Sequence, residues 1–381
     1  MKILVNAILA KRICGGSYQI TQNYIRRTAH DKTNEWSFIV SKDLSEDLAD
    51  FFNQCEGKVF VFENQPDFKH YWRTQKAVWK VEKEISPDVI YSIVAPSYYR
   101  FRSKKEVMRF THPWITHPNK YLKRILGKCG GLKLFVYNAP RIFFMKKCKF
   151  FITQSETAKK GICRITKTNH ENVEVIPNTL PAFFTDITPK KNANIEGFHI
   201  ASVAAPHKQK NLLLIPEFLY ELKVKHNLEN VFVYTTIPED SPVFIEMDEL
   251  AVKLGVKKQI RNLGYVKQNQ LVDLYNNCNF FLFPSILEVF SASLLEAMYF
   301  DLAVVASDLS FNSDVCKDAA VYFEPMNAES AARCFLELAN NPLRIKEMTD
   351  KGKEYIKQYL NYGEHFEKSL KFFEKFKDQR E

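Results

Sequence analysis

The sequence predicts an α/β protein of two parallel-sheet domains, and three observations predict it. The chain has 381 residues, 46% of them hydrophobic, which is too long for one ordinary core and apolar enough for two. Short apolar strands alternate with helical stretches, stop at a polar, proline-bearing segment around residues 178–196, and then start afresh. The stretch from Phe280 to Met298 joins an apolar run, Phe280–Phe283, through Pro284 and a polar loop to a helix start. That is a strand–loop–helix unit.

In the first half, a strand over 2–9 leads through Gly15-Gly16-Ser17 into a helix over 18–28. Only small residues let backbone approach a ligand closely, so Gly15-Gly16 can border a phosphate or sugar. Two glycines are a weak signal, and Gly-x-Gly-x-x-Gly, the dinucleotide pattern, is absent here. Strands follow at 36–40, 58–62, 88–94, 106–111, 150–153 and 173–176, with helices at 44–55, 68–84, 120–127, 132–147 and 156–165. Such alternation means a parallel sheet covered on both faces.

After the linker at 178–196, strands at 198–204, 230–236, 259–263, 280–283, 302–306 and 320–323 alternate with helices at 211–225, 244–254, 268–276, 328–340 and 343–359. An amphipathic helix over 364–377, carrying Phe366, Leu370, Phe373 and Phe376, ends the chain. Two such domains joined by a linker leave a cleft, a preferred place for ligands.

Charge separates the halves. Residues 1–191 carry a net +16 and residues 192–381 a net −6. Residues 100–167 hold 18 basic side chains against two acidic ones, Glu106 and Glu156. An anionic partner fits the first half: a membrane surface, an acidic glycan or a nucleic acid, with a solvated basic face as the plain alternative. The segment 121–147 mixes apolar with basic residues, as an interfacial helix pair does and as two ordinary surface helices do. The basic stretch lacks a nucleic-acid recognition motif, which disfavours that partner. No apolar run reaches the roughly 18 residues that span a bilayer. Residues 3–10 read as a first strand, not a secretion signal. Eight cysteines without a Cys-x-x-Cys pair suit reduced thiols in a cytoplasm.

The chemistry concentrates after the strand Phe280–Phe283. In a parallel sheet the crevice beyond the strand ends binds ligands, and a helix N-terminus there suits a phosphate. Glu288 in the loop and Glu296 in the helix flank that N-terminus, seven residues apart. Two bland readings stand beside this: Ser293 and Glu296 have capping-box spacing, and Glu288 is an acid in a loop.

Several patterns then fall in one order: Ser202-Val-Ala-Ala-Pro206-His207-Lys208-Gln209-Lys210-Asn211, Leu263-Gly264-Tyr265-Val266, and Phe283-Pro284-Ser285 before Glu288-x7-Glu296. With Ser307-Asp308, Glu324-Pro325, Gln154-Ser155 and Val175-Ile176-Pro177-Asn178, the chain resembles the family-4 (group 1) nucleotide-sugar glycosyltransferases. The likeness covers most of residues 195–340 and the first half thinly. It implies two Rossmann-like domains facing across a cleft, the GT-B arrangement. Residues 1–190 would form an acceptor-side domain and residues 191–360 a nucleotide-sugar domain. Residues 361–381 would form a C-terminal helix returning to the first.

The resemblance further implies roles. Glu288 would face the donor sugar, and backbone N–H groups of Val289, Phe290 and Ser291 after it would hold the diphosphate. Glu296 would accept from the ribose hydroxyls. Lys210, with Lys208 as substitute, would neutralise the diphosphate. Gly15, Gly16, Gly264, Tyr265 and Ser285 would line the donor, and His112, with His117 as competitor, the sugar site. A cation and a helix N-terminus would stabilise the charge on a leaving nucleoside diphosphate. No Asp-x-Asp occurs, and no metal or other cofactor is expected.

Two departures stand out. Members commonly carry glycines where this chain has Val289 and Ser291, and an arginine where it has Ala204, or Ser202 if Lys208 is the equivalent. The expected activity is retaining transfer of a sugar to a saccharide or lipid-linked acceptor in polysaccharide or lipopolysaccharide synthesis. The place is the cytoplasm, peripheral to an anionic membrane through residues 100–167. The alternatives are a non-catalytic protein of the same fold that binds a glycan or nucleotide sugar, and a nucleotide-sugar epimerase.

Overall fold

A computed structural model describes residues 1–12, 16–63, 70–127, 130–192, 196–359 and 362–378. The chain divides into two units: Met1–Thr116 with Leu132–Pro177 and Gly363–Glu381, and His117–Gly131 with Asn178–Tyr362.

The sheet of the first unit comprises β1 (Lys2–Ala7), β2 (Glu35–Ser41), β3 (Val59–Phe62), β4 (Val89–Ser92), β5 (Glu106–Arg109), β6 (Phe150–Thr153) and β7 (Val173–Val175), in the order β3-β2-β1-β4-β5-β6-β7. All neighbours run parallel. The second sheet comprises β8 (Phe198–Ser202), β9 (Val231–Thr235), β10 (Ile260–Asn262), β11 (Phe280–Phe283), β12 (Ala303–Ser307) and β13 (Ala320–Phe323), in the order β10-β9-β8-β11-β12-β13. It too is wholly parallel.

Central strands of such sheets are covered on both faces, so they read as apolar runs without alternation. In β11, Phe280 and Leu282 enter one core with Ile200, Phe218 and Phe335, while Phe281 and Phe283 enter the opposite one with Tyr275, Leu294 and Phe300. Pairing sets these rings against small neighbours: Phe281 lies opposite Ala201 and Val304.

The helix Tyr362–Asp378 supplies Phe366, Leu370, Phe372 and Phe373 to the first unit's core, beside Ile3, Val5, Val89 and Tyr91. The rings of Phe373 and Tyr91 stand 5.0 Å apart, and the Tyr24 and Ser369 hydroxyls bond at 2.9 Å. Phe376, counted on its apolar face from the sequence, has its side chain outside the described residues.

The division differs from 1–190 and 191–360 in two places. Residues 178–190, read as part of a linker, belong to the second unit because Leu180 and Phe184 are buried in its core, Phe184 on the short helix Ala182–Thr185. Residues 117–131 also belong there, so the basic stretch 100–167 is shared between the two units. The helix expected over 44–55 is two, Lys42–Asp47 and Ala49–Phe52, broken at Leu48 with ψ 22°. Just before residue 117, the Thr116 carbonyl is held by Arg164 Nη2 at 3.0 Å, and a Cβ on Gly161 would lie 2.0 Å from its oxygen. Glycine is what lets that helix come so close.

Truncating the fully buried Phe373 to Ala is expected to cost about 3–5 kcal/mol, lowering the first transition in thermal or denaturant unfolding. A change under about 1 kcal/mol would show that the C-terminal helix is not part of that core.

Candidate functional site

In the second sheet the strand order reverses between β8 and β11, so the chain leaves these neighbours in opposite directions and their following loops part. That reversal is where open parallel sheets hold ligands. β8 leads through residues 203–207 and the 3-10 turn Lys208–Lys210 to the helix Leu214–His226. β11 leads through residues 284–291 to the helix Ala292–Tyr299.

The two loops are stitched together by backbone. The Ile286 N–H donates to the Gln209 carbonyl at 2.8 Å, and the Ser307 hydroxyl, at the end of β12, donates to the Ser285 carbonyl at 2.5 Å. Across this stitch Lys210 Nζ pairs with Glu288 Oε1, which also accepts from the Ser285 hydroxyl at 2.8 Å. Both side chains are mostly buried, 16% and 14% exposed. Charges so withdrawn from water must be paired, and each partner holds the other in place. An ammonium has three donors, so Lys210 retains capacity for an anion. Glu288 is therefore no solvated loop acid.

The helix beyond is preceded by Ser291, whose side chain takes none of the helix's backbone N–H groups; its hydroxyl meets that of Ser293 at 2.9 Å. Its first N–H groups thus lack a side-chain cap, the condition under which a helix end accepts an anion. Glu296 does not close a capping box. It accepts from the Tyr275 hydroxyl at 2.6 Å and is 8% exposed. Burial pushes its carboxyl above the usual range, and the Tyr275 hydrogen bond opposes that rise. Val289, at a position where the family commonly has glycine, is 4% exposed, its side chain buried. The Phe290 ring lies 5.9 Å from that of Tyr359.

Of the remaining expected residues, Lys208 is exposed and lines a cavity of about 350 Å³ with Arg124, Asn211, Glu217 and Glu246. It is Lys210, six residues after Ala204, that faces Glu288. Gly264 follows β10 with φ +65°, a left-handed conformation that glycine adopts without strain, and it presents Tyr265 to solvent. Gly16 opens the helix Gly16–Arg27 after β1, whereas Gly15 lies outside the described residues. Ser155 caps its own helix by accepting from the Ala158 N–H at 3.3 Å.

His112 belongs to the first unit, between β5 and the short helix Pro113–Thr116. Burial, with repulsion from Arg141, pushes its imidazole down to about 4, and Nδ1 is buried without a hydrogen-bond partner. At neutral pH it is an uncharged ring. His117, weighed as its competitor, sits instead in the second unit, with its Nε2 on the carbonyl of Glu288. Asn119 Nδ2 donates to the carbonyl of Ile286 at 2.7 Å. These two were not read as contacts of the Glu288 loop; nothing local in the sequence pairs residues 171 and 167 positions apart. Among the described residues no cluster of three or more His, Cys, Asp or Glu side chains has the form of a metal site.

Residues 184–358 match the sequence model of the family described as glycosyl transferases group 1. An uncharacterized glycosyltransferase of Methanocaldococcus jannaschii is 24% identical over 248 residues, 58% of this chain and 63% of that protein. The O-antigen chain mannosyltransferase RfbU of Salmonella typhimurium is 27% identical over 187 residues, 49% of this chain and 50% of that one. The chain thus spans about half to three-fifths of these relatives' length. In fold, Anabaena HepE, solved in complex with UDP, superposes with a TM-score of 0.72 at 13% identity, covering 98% of this chain and 100% of that one. Residues 184–358, which carry Lys210 against Glu288 at the reversal of the second sheet, thus match the group 1 glycosyl transferases, and the two parallel Rossmann-like sheets have the GT-B fold of the solved neighbour.

Proposed function

We propose that the protein transfers a sugar from a nucleoside-diphosphate donor to a saccharide or lipid-linked acceptor, in the synthesis of a surface polysaccharide or glycolipid. One observation carries this reading: Lys210 and Glu288 meet at the strand-order reversal beside a helix N-terminus without a side-chain cap. The donor's pyrophosphate takes the free donors of Lys210 and the N–H groups that follow Glu288, whose carboxylate faces the sugar. As the glycosidic bond breaks, the leaving diphosphate gains negative charge, and the ammonium and helix N-terminus stabilise it. Glu296, steadied by Tyr275, offers its second oxygen to the ribose. Neutral His112 is assigned to the sugar. The departing phosphate assists in deprotonating the acceptor, on the same face of the sugar, with retention. Lys210 supplies the cation, so the transfer is metal-independent. The relative from Salmonella is named as acting on O-antigen chains, and the Anabaena protein was solved with UDP; both fit this class of donor and acceptor.

Acceptors of this kind lie at membranes, and the first unit has a surface for one. Among the described residues no helix is long and apolar enough to cross a bilayer. The helix Gly130–Met145, however, leaves Leu132, Phe135, Val136 and Tyr137 between 63% and 72% exposed. Lys133, Arg141, Lys146, Lys147 and Lys149 lie on or just beyond it, with no acid from 107 to 155. Apolar side chains ringed by cations suit an anionic leaflet from the cytoplasmic side. A second reading, binding a nucleotide sugar without transfer, draws on Val289 and Ser291 at glycine positions and on the absent arginine.

Assayed across a panel of UDP-, GDP- and dTDP-sugars, Lys210→Ala and Glu288→Gln should each lower transfer by about 100-fold or more while the protein stays folded. Wild-type binding without turnover would favour the second reading, and full activity in both variants would remove the mechanism. Adding EDTA should leave the wild-type rate unchanged; a loss restored by a divalent ion would contradict metal independence. Binding to phosphatidylglycerol vesicles should weaken with rising salt and with Phe135→Asp. Absence of binding at low salt would reject the membrane surface.

A further inference from the structure

The segment His117–Gly131 interrupts the first unit in sequence but is built into the second. Its beginning lies along the loop between β11 and the helix Ala292–Tyr299. His117 Nε2 meets the carbonyl of Glu288, and Asn119 Nδ2 donates to that of Ile286 at 2.7 Å. A carbonyl only accepts, so the imidazole carries its proton on Nε2 in this contact. Both side chains are held in turn. The His117 ring lies 5.9 Å from that of Phe311, and Asn119 Oδ1 accepts the Tyr121 N–H at 3.1 Å, which fixes the amide with its nitrogen toward Ile286.

A trans peptide is planar, with its C=O and the next N–H pointing in opposite directions. Holding the carbonyls of Ile286 and Glu288 toward residues 117–119 therefore turns the N–H groups of Leu287 and Val289 the other way. Neither of these makes a hydrogen bond among the described residues. The flanking groups do: the Ile286 N–H is taken by Gln209 and the Glu288 carboxylate by Lys210 and Ser285. Successive backbone N–H groups aimed to one side form a concave anion site. Where Val289 replaces the glycine common in the family, the chain loses conformational latitude, and contacts from outside the loop settle which way the peptide faces.

We propose that His117 and Asn119 are positioning residues of the donor site: by holding the carbonyls of Glu288 and Ile286 they aim the Val289 and Leu287 N–H groups at the donor's diphosphate. This rests on the donor reading of the Lys210–Glu288 loop. Because Glu288 is assigned to the sugar, and the sugar is joined to the β-phosphate, the N–H next to Glu288 falls on the β-phosphate. The nucleoside monophosphate lacks that group and is indifferent to the aim.

Calorimetry of the full chain with UDP and GDP, and NMR titration with UMP and GMP, test this. His117→Ala and Asn119→Ala should each weaken the bound diphosphate about tenfold and the matching monophosphate less than about twofold. His117→Gln, whose terminal amide nitrogen reaches the place of Nε2, should stay within about threefold of wild type for both. Equal losses for di- and monophosphate, an unchanged diphosphate affinity in His117→Ala, or no recovery in His117→Gln would each overturn the positioning role. Failure of the wild type to bind either diphosphate would overturn the donor reading and, with it, this inference.

Discussion

An ammonium and a carboxylate that leave water together must stay together, and the Lys210–Glu288 pair imposes that condition on the second unit. It requires the turn after β8 and the loop after β11 to meet, and a parallel sheet brings such loops side by side at the point where strand order reverses. The backbone bond from Ile286 to Gln209, the Ser285 hydroxyl on Glu288 and the Ser307 hydroxyl on the Ser285 carbonyl all hold this meeting in register. Phe281 and Phe283 beneath it anchor the strand from which the loop departs. The same pair also fixes what the site can do. A partly buried lysine already matched by one carboxylate holds an anion without leaving an uncompensated charge when the anion departs.

The thirteen strands of the described residues were legible because parallel strands covered on both faces are written as local apolar runs, and Phe280–Phe283 and Ala320–Phe323 have the bounds the sequence indicated. Glu288 and Lys210 were legible through the resemblance, since spacing around a strand end is a local property. What escaped was non-local. The stretch 178–190 looked like linker because it mixes polar residues with Pro181 and Pro189, yet Leu180 and Phe184 are buried in the second core. Glu296 fitted a capping box by spacing, but Tyr275, twenty-one residues earlier, takes its carboxylate. His117 was weighed only as an alternative to His112, since nothing near it in sequence announces the loop it touches.

Charge was legible in amount and not in placement. The excess of lysine and arginine over 100–167 is real, but residues 117–131 carry part of it into the second unit, where Arg124 and Lys208 line a cavity with Glu217 and Glu246. The apolar side of 121–147 became more specific in three dimensions. The helix Leu122–Leu126 is built into the second unit with Leu122 buried, whereas Gly130–Met145 leaves Leu132, Phe135 and Val136 in water. Exposed apolar side chains among cations are costly in bulk water and favourable at a lipid surface.

The proposed transfer requires a pyrophosphate lying between the tip of one lysine and the backbone opposite. Solving the protein with bound UDP or GDP looks at that directly. Phosphate oxygens are expected within about 3 Å of Lys210 Nζ and of the Val289 nitrogen, with His117 still on the Glu288 carbonyl. A nucleotide seated elsewhere, with the lysine and Glu288 untouched, would contradict the proposed transfer.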